Sequence, residues 1–209
     1  MDKVQFAGEF KLDKCELISS TGTFADISAI VVEINIFESI FKTALTGSVI
    51  ITDTNNLVDN MPIIGQEFLS LKISTPGLVN KDLAYDFTEN VFCVYKITSR
   101  QDISSGFQIY ELNLISPEVL RSNRTRVSKS YTGLTSEIVE KILRDEKLIT
   151  TKKDIFIDET SRLRKFVAPN KRPNDFIKSL VRESTSKKYS GSPHYLFYET
   201  TKGFNFRVL

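Results

Sequence analysis

The sequence has few of the residues that build reactive centres, with two cysteines, one histidine and no tryptophan in 209 residues. Two cysteines are too few for a disulfide framework. Cys15 and Cys93 both lie in strand-like segments, so we predict buried free thiols and folding in an intracellular compartment. One histidine and two separated cysteines cannot build an ordinary zinc site. His194 has no catalytic partner among its sequence neighbours, so a Ser-His-Asp or Cys-His enzyme is not indicated.

Long apolar runs and a strong net charge are also missing. No run approaches the roughly 20 apolar residues of a membrane-spanning helix, so no span is predicted. The first residues, "MDKVQFAGEF", lack the apolar segment of a signal peptide, and none is expected. The net charge of +2 gives no global reason to expect a nucleic-acid binder or a membrane-surface protein.

Motifs for cofactors and metals are not found either. The 9 glycines are scattered and form neither a Walker-type loop nor a Gly-x-Gly-x-x-Gly motif, so no cofactor is predicted. The segment "DTNNLVD" begins at Asp53 like a calcium loop but lacks its central glycine and terminal glutamate, so a turn is predicted there. Glu137 and Glu140 have the spacing of a solvated helix face rather than of a glycosidase pair. The protein is therefore predicted not to be an enzyme.

Residues 10–116 show the alternation of β-strands. One long strand with a buried face is predicted over Ile27–Phe37, and a second one ends at Asp53 and contains Gly47, which suggests a bulge or sharp bend. Further strands are predicted from the alternating apolar residues of "EFLSLKIS", "NVFCVYKIT" and "GFQIYELNLIS". At least five or six strands without a long helical period predict an antiparallel sandwich or barrel.

The pattern changes after Pro117, where an α+β part is predicted. "TGLTSEIVEKILRDEKL" has the apolar spacing of a helix, with Thr132 as its expected N-cap. "RPNDFIKSLVREST" predicts a second helix with Pro173 in its first turn. Short strands are predicted in "DIFIDE" and "LRKFVAP", and a hairpin in "HYLFYETTKGFNFRV". The fold class is thus mainly β with an α+β second part: an antiparallel β-barrel followed by a small helix-bearing domain.

Two segments are candidates for contacts with other molecules. The connection "NMPIIG" places Met61, Ile63 and Ile64 where water is normally expected, so these residues cap the barrel core, lie at a subunit or layer boundary, or shape a ligand site. Arg121, Arg124 and Arg126 begin a basic segment predicted to be a solvated or partner-facing loop. A second basic cluster follows at residues 162–172. Phe166 is the one aromatic residue within these two clusters, too few for the stacking platform of a nucleic-acid binder.

The order of these segments resembles the central baseplate hub protein of contractile-tailed phages of the T-even type, a family similar to the hub portions of type VI spike proteins. The resemblance covers nearly the whole chain, from "TGSVIITDTNNL" and "MPIIGQEFLSLKIST" through "FVAPNKRPNDFIKSLVRES" to "HYLFYETTKGFNF". It includes four local features, a glycine before one strand, an aspartate after it, a glycine before the next strand and a proline opening the second helix: Gly47, Asp53, Gly65 and Pro173.

The resemblance implies a structural protein without catalysis, which forms a homotrimeric ring on the tail axis. The implied partners are a trimeric spike protein, a tail tube initiator or tube protein, and baseplate wedge proteins, with DNA only passing through the channel. The implied localisation is the virion tail baseplate, after synthesis in the bacterial host cytoplasm.

Known members of that family supply two similar barrels from each subunit, and this sequence departs from that pattern. Residues 1–116 match the first barrel and 117–203 the helix-bearing domain, so 204–209 are expected to begin a second barrel that the chain does not contain. The chain is then a fragment, or another polypeptide or another copy supplies that barrel. The alternative function is a ligand- or carbohydrate-binding β-module of a tail tip. It is disfavoured because 15 phenylalanines outnumber 7 tyrosines and no tryptophan is present.

Overall fold

The chain folds into two compact units. The computed structural model describes residues 10–54, 57–61, 63–75, 84–104, 106–189 and 191–209. The first unit comprises Met1–Ile36 and Thr46–Ile115, and the second comprises Phe37–Leu45 and Ser116–Leu209. No sequence pattern indicated that residues 37–45 belong with the second half of the chain. Among the described helices, none is both long and apolar enough to cross a membrane.

Unit 1 is a curled, half-barrel β-sheet. Its seven strands run in the order β2-β1-β5-β6-β7-β4-β3, so β2 and β3 are the edge strands. A four-residue helix, α1 (Leu57–Asn60), lies between β4 and β5. The strands are β1 (Lys11–Ile18), β2 (Phe24–Asp26), β3 (Val31–Phe37), β4 (Thr46–Asp53), β5 (Glu67–Ser74), β6 (Tyr85–Ser104) and β7 (Phe107–Ile115). The strand pairs β1–β2, β1–β5, β5–β6, β6–β7 and β4–β7 are all antiparallel.

The core of unit 1 follows the predicted alternation. Leu17 and Leu69 face each other across β1 and β5 and are both fully buried. On β7, the alternate residues Tyr110, Leu112 and Leu114 are also fully buried, as predicted. Because successive side chains of a strand point to opposite faces, this alternation places one face of the sheet in the core.

Two local predictions for unit 1 are corrected. The single strand expected over Ile27–Phe37 is interrupted by a turn, and β3 begins only at Val31. The alternation of the sequence places Val32 with Ile34 on the predicted buried face, but Val32 is 62% exposed, because the side chains of an edge strand have packed neighbours on one side only. Gly47 forms no bulge with β7; instead, a Cβ atom at this position would lie 2.6 Å from the backbone oxygen of Asn35. The glycine therefore permits a close approach of β3.

Unit 2 combines three helices with two small sheets. One sheet contains β10 and β8 in antiparallel order, and the other has the order β11-β12-β9, with β12 and β9 parallel. The elements are α2 (Pro117–Arg124), β8 (Val127–Leu134), α3 (Thr135–Arg144), β9 (Asp154–Ile157), β10 (Leu163–Lys171), α4 (Pro173–Arg182), β11 (Tyr195–Thr200) and β12 (Gly203–Val208). Together, the two units confirm the predicted class, mainly β with an α+β second part.

The two predicted amphipathic helices, α3 and α4, form the centre of the unit 2 core. α3 buries Ile138 and Ile142, and α4 buries Phe176, Ile177 and Leu180. Pro173 occupies the first turn of α4 as predicted, where its missing N–H has no intrahelical partner in any case.

Two predictions for unit 2 are corrected, and a third stays a prediction. The segment from Arg121 is not a loop: it forms the second half of α2 and then enters β8. Thr132 belongs to β8, so α3 begins at Thr135 rather than directly after Thr132. Residues 204–209, expected to open a second barrel, contribute most of β12, the central strand of its sheet. The existence of a second barrel stays a prediction.

Candidate subunit interface

The turn before β5 holds Ile64 out in solvent by means of a buried carboxylate. Glu67 is only 1% exposed, and its two carboxylate oxygens accept hydrogen bonds from the backbone N–H groups of Ile64, Gly65 and Gln66 at 2.9, 2.9 and 3.0 Å. Gly65 has φ +87, a conformation that a side chain disfavours. Ile64 itself is 65% exposed. A well-ordered local structure therefore presents an apolar side chain to solvent.

The three interface candidates from the sequence are not equivalent in the structure. Met61 is 8% exposed and belongs to the buried core of unit 1, where its sulfur lies 3.9 Å from the Thr23 hydroxyl. Ile63 is half-buried, and only Ile64 is largely exposed. Met61 thus has the burial of a capping residue, whereas Ile64 contributes little to the core of its own unit. A role of these residues at a subunit boundary stays a prediction.

Each unit exposes further large apolar side chains. On the edge strands of unit 1, Phe24 is 74% exposed and Val32 62%. In unit 2, Phe37 and Phe41 are 54% and 79% exposed and lie in the short segment 37–45. Edge strands with exposed apolar residues and unpaired backbone groups are prone to associate with other chains, so soluble proteins usually cover them.

The three arginines singled out in the sequence, Arg121, Arg124 and Arg126, differ in their positions and contacts in the structure. The Arg121 guanidinium, on α2, donates to the backbone oxygens of Ile149 and Thr150 at 3.3 and 2.9 Å. Arg124 is exposed in the last turn of the same helix, where a cation suits the helix dipole. Arg126 lies just before β8 and is exposed. The helix could have been anticipated, since a proline and an acidic residue at its start are typical of a first turn.

A buried ion-pair network in unit 2 was missed in the sequence. The Lys153 ammonium donates to Glu118 Oε2 at 2.9 Å and to Glu199 Oε1 at 2.7 Å, and all three side chains are at most 8% exposed. Burial alone would lower the pKa of Lys153, but the charges of the two carboxylates outweigh it and raise that pKa. Burial raises the pKa of Glu199, which the Lys153 charge offsets only in part.

Neutral donors complete the network. The Ser116 hydroxyl donates to Glu199 Oε1 at 2.8 Å, and the backbone N–H of Leu45 donates to Glu199 Oε2 at 2.8 Å. The Thr151 hydroxyl donates to Glu118 Oε1 at 2.9 Å. The segment 37–45 is therefore tied to β11 by a buried carboxylate. A sequence signal existed, because Glu199 continues the buried alternation of Tyr195 and Phe197.

The polar groups show no reactive arrangement among the described residues. Burial raises the pKa of the Cys15 thiol to about 12, which keeps it protonated and a poor nucleophile at neutral pH. His194 is exposed. Asp53, where a turn was predicted, accepts hydrogen bonds from the nearby Leu57 N–H at 2.7 Å and from the Tyr110 hydroxyl at 3.1 Å. No cluster of His, Cys, Asp and Glu in the described part of the chain could hold a metal ion.

Two solved structures with the same fold are tail proteins, one of them from a prophage. The 43 kDa tail protein of prophage MuSo2 from Shewanella oneidensis matches 92% of this chain with a TM-score of 0.58 and 8% identity. A tail protein from Neisseria meningitidis also matches 92% of it, with a TM-score of 0.56 and 10% identity. At such low identity the likeness shows the fold alone. The chain spans about half the length of these two proteins, 52% and 49% of them.

A type VI secretion component gives a weaker structural match, and the sequence comparisons give none. A component of the Escherichia coli type VI secretion system covers 95% of the chain at 14% identity, but its TM-score of 0.49 is too low to support an argument. No protein-family model matches the sequence, and no curated protein sequence matches it either.

Proposed function

We propose that the protein is a structural component of a phage-type tail, and more closely a baseplate hub subunit that joins the tail tube to the central spike. Two observations support this: the fold is that of two tail proteins, one of them from a prophage, and the described residues carry several exposed apolar side chains without a catalytic or metal-binding cluster. A protein of this kind acts by being held between other chains and makes or breaks no bond.

The main structural support for this proposal is the ordered turn around Ile64. A carboxylate taken out of water is costly unless it is hydrogen-bonded, so the three N–H groups around Glu67 make a specific and rigid turn. Such a turn presents an apolar side chain at 65% exposure, so most of that side chain is not buried within its own unit. Burial against another subunit is a physical reason for this arrangement, since interface cores remove apolar groups from water.

The proposed assembly is a homotrimeric ring in the tail baseplate of the virion. Its proposed partners are a trimeric spike protein, the tube initiator or tube protein, and baseplate wedge proteins, and DNA passes through its channel without being held. A heterologous ring of this kind closes when the rotation between neighbours divides a full turn evenly. The carbohydrate-binding alternative gains no specific support, because most of the exposed large apolar residues are aliphatic or phenylalanine.

The test is the oligomeric state of the protein and of Ile64→Asp, measured by size-exclusion chromatography with light scattering. We expect the wild type at three times 23.8 kDa and the variant at one chain mass with an unchanged circular dichroism spectrum. The matched control is Ile103→Asp, which places the same charge at another isoleucine of unit 1, 56% exposed. A wild-type monomer would refute the trimer, and an unchanged oligomer of the Ile64 variant would refute the role of the turn.

A further inference from the structure

The end of the first basic cluster, Arg126 and Lys129, lies beside the second basic cluster in unit 2, although the two are separated in the sequence. These residues lie on or next to the paired strands β8 and β10, whose register pairs Lys165 with Thr132 and Lys171 with Val127. Residues 126–134 and 161–172, here called the basic ribbon, contain seven basic residues and no acidic one. The basic residues are Arg126, Lys129, Arg162, Arg164, Lys165, Lys171 and Arg172. The whole chain is only +2, so the positive charge is concentrated here.

Most of this charge is not neutralised within the chain. Among the described residues, Arg164 alone of the seven has a carboxylate at ion-pair distance, with Glu183 Oε2 at 2.8 Å. The Arg172 guanidinium reaches only the neutral Asn123 side chain, at 3.5 Å, and the Lys129 ammonium lies 5.5 Å from the Tyr131 ring centre. Clustered like charges repel one another and favour a partner of opposite charge.

The solvent-facing side of the ribbon also carries apolar groups. Opposite residues of an antiparallel pair share a face, so Lys165 with Thr132 and Val167 with Ser130 point to the same side. All four are exposed, and Leu163 at the start of β10 is 77% exposed. The other side is covered, because the Tyr131 ring lies 5.7 Å from the Phe176 ring of α4. An open apolar and cationic face results.

The outer edge of β10 offers backbone groups as well. β10 pairs with β8 alone among the described strands, so its other edge has no strand partner from Leu163 onward. The ladder with β8 is irregular between Ala168 and Lys171, and Asn170 has φ +53. The accessible edge is therefore the straight part of β10 before Pro169. An extended peptide can add to such an edge through main-chain hydrogen bonds.

We propose that the basic ribbon is a docking site for an acidic polypeptide segment that carries apolar side chains between its carboxylates. Carboxylates would neutralise the lysine and arginine side chains, while alternate apolar residues would cover Leu163 and Val167. A nucleic acid fits less well, because its phosphates would neutralise the charge but leave these aliphatic side chains uncovered, and no exposed aromatic ring of the two strands stacks with bases. This site is distinct from the Ile64 turn.

Fluorescence anisotropy of labelled probes with the full chain tests the proposal. The probes are a peptide of alternating glutamate and valine, the same peptide with serine in place of valine, and a short DNA duplex. We expect the glutamate–valine peptide to bind at least tenfold more tightly than either other probe, and more weakly as salt rises.

Variants of the basic ribbon separate the contribution of its charge from that of its apolar side chains. Arg162→Glu with Lys165→Glu is expected to weaken binding of both peptides at least tenfold. Leu163→Ser with Val167→Ser is expected to weaken only the glutamate–valine peptide. The control is Lys178→Glu, an exposed lysine of α4 outside the ribbon. The proposal is overturned if the duplex binds more tightly than the glutamate–valine peptide, if both peptides bind equally, or if the control loses as much affinity as the ribbon variants. Near-ultraviolet circular dichroism verifies that each variant is folded.

Discussion

Both units bury a glutamate, but they compensate its charge in different ways. In unit 1, Glu67 is held by three N–H groups from the three residues that precede it. In unit 2, Glu199 is held by Lys153 and by the backbone of Leu45, which lies 154 positions away in the sequence. The first arrangement shapes one turn, and the second joins distant parts of the chain. Removing the Glu67 hydrogen bonds should therefore destabilise one turn, whereas removing the Glu199 ion pair should destabilise the whole protein.

The largest effect is expected for Lys153→Met. It leaves Glu118 and Glu199 buried without their shared cation, and breaking a buried pair in this way costs about 3–5 kcal/mol. Urea unfolding monitored by tyrosine fluorescence measures the loss. Lys152→Met is the matched control, since this exposed neighbour should change the free energy of unfolding by less than about 0.5 kcal/mol.

The pH dependence of the Lys153 variant sharpens the comparison. A carboxyl group whose pKa is higher in the folded than in the unfolded protein takes up a proton on folding, so it favours the folded state at low pH. Burial already raises the pKa of Glu199 in the wild type, and removal of Lys153 should raise it further. The loss of unfolding free energy in the variant, relative to the wild type, should therefore shrink as the pH falls from neutral toward the usual pKa of a carboxyl group. A deficit that does not change with pH would contradict a buried-charge origin.

A smaller, local effect is expected for Glu67→Ala. It removes the acceptor of three N–H groups, and we expect a loss of about 2 kcal/mol, since hydrogen bonds to charged groups contribute about 1.5–3 kcal/mol. Amide hydrogen exchange should speed up at Ile64 and Gly65 while the strands stay protected. Gln66→Ala is the control on the exposed side of the same turn. Loss of protection throughout the sheet would show that the turn is not a local structure.

The smallest effect is expected at the basic residues of α2. Arg121→Met removes two hydrogen bonds to backbone oxygens after α3 and should cost about 1 kcal/mol, as one typical net hydrogen bond does. Arg124→Met, in the same helix and exposed, should cost less than about 0.5 kcal/mol. Thermal unfolding of the two variants side by side measures the difference. Equal stabilities would mean that the Arg121 contacts add nothing measurable.

Local patterns carried much of the fold. The alternation of apolar and polar residues predicted the buried faces of β4, β5 and β7, and the 3.6-residue period predicted the helices α3 and α4. These predictions succeed because the side of an element to which a residue points depends only on its position along that element. The helix α2 was missed since its eight residues are mostly polar. Val32 was misassigned because burial on a strand also requires a neighbouring layer, and the position of β3 at an edge is set by pairings far along the chain.

The candidate site was predicted only in part. The sequence singled out "NMPIIG" as an unusually apolar connection, but it could not separate the buried Met61 from the exposed Ile64. That distinction depends on the hydrogen bonds to Glu67 and on which side chains of the folded unit pack against Met61 but not against Ile64. The two basic clusters were visible as composition, whereas their pairing into one ribbon depends on the β8–β10 register.

The sequence alone determined the class of the protein: β-rich with two amphipathic helices, few reactive groups and an unusual apolar turn. Tertiary structure decided which side chains meet, including the Lys153 network, the basic ribbon and the placement of residues 37–45 in unit 2. The physical reason is the separation along the sequence over which each kind of interaction acts. Backbone periodicity and turn chemistry act over a few neighbouring residues, whereas charge pairing and strand register join residues that only the folded chain brings together.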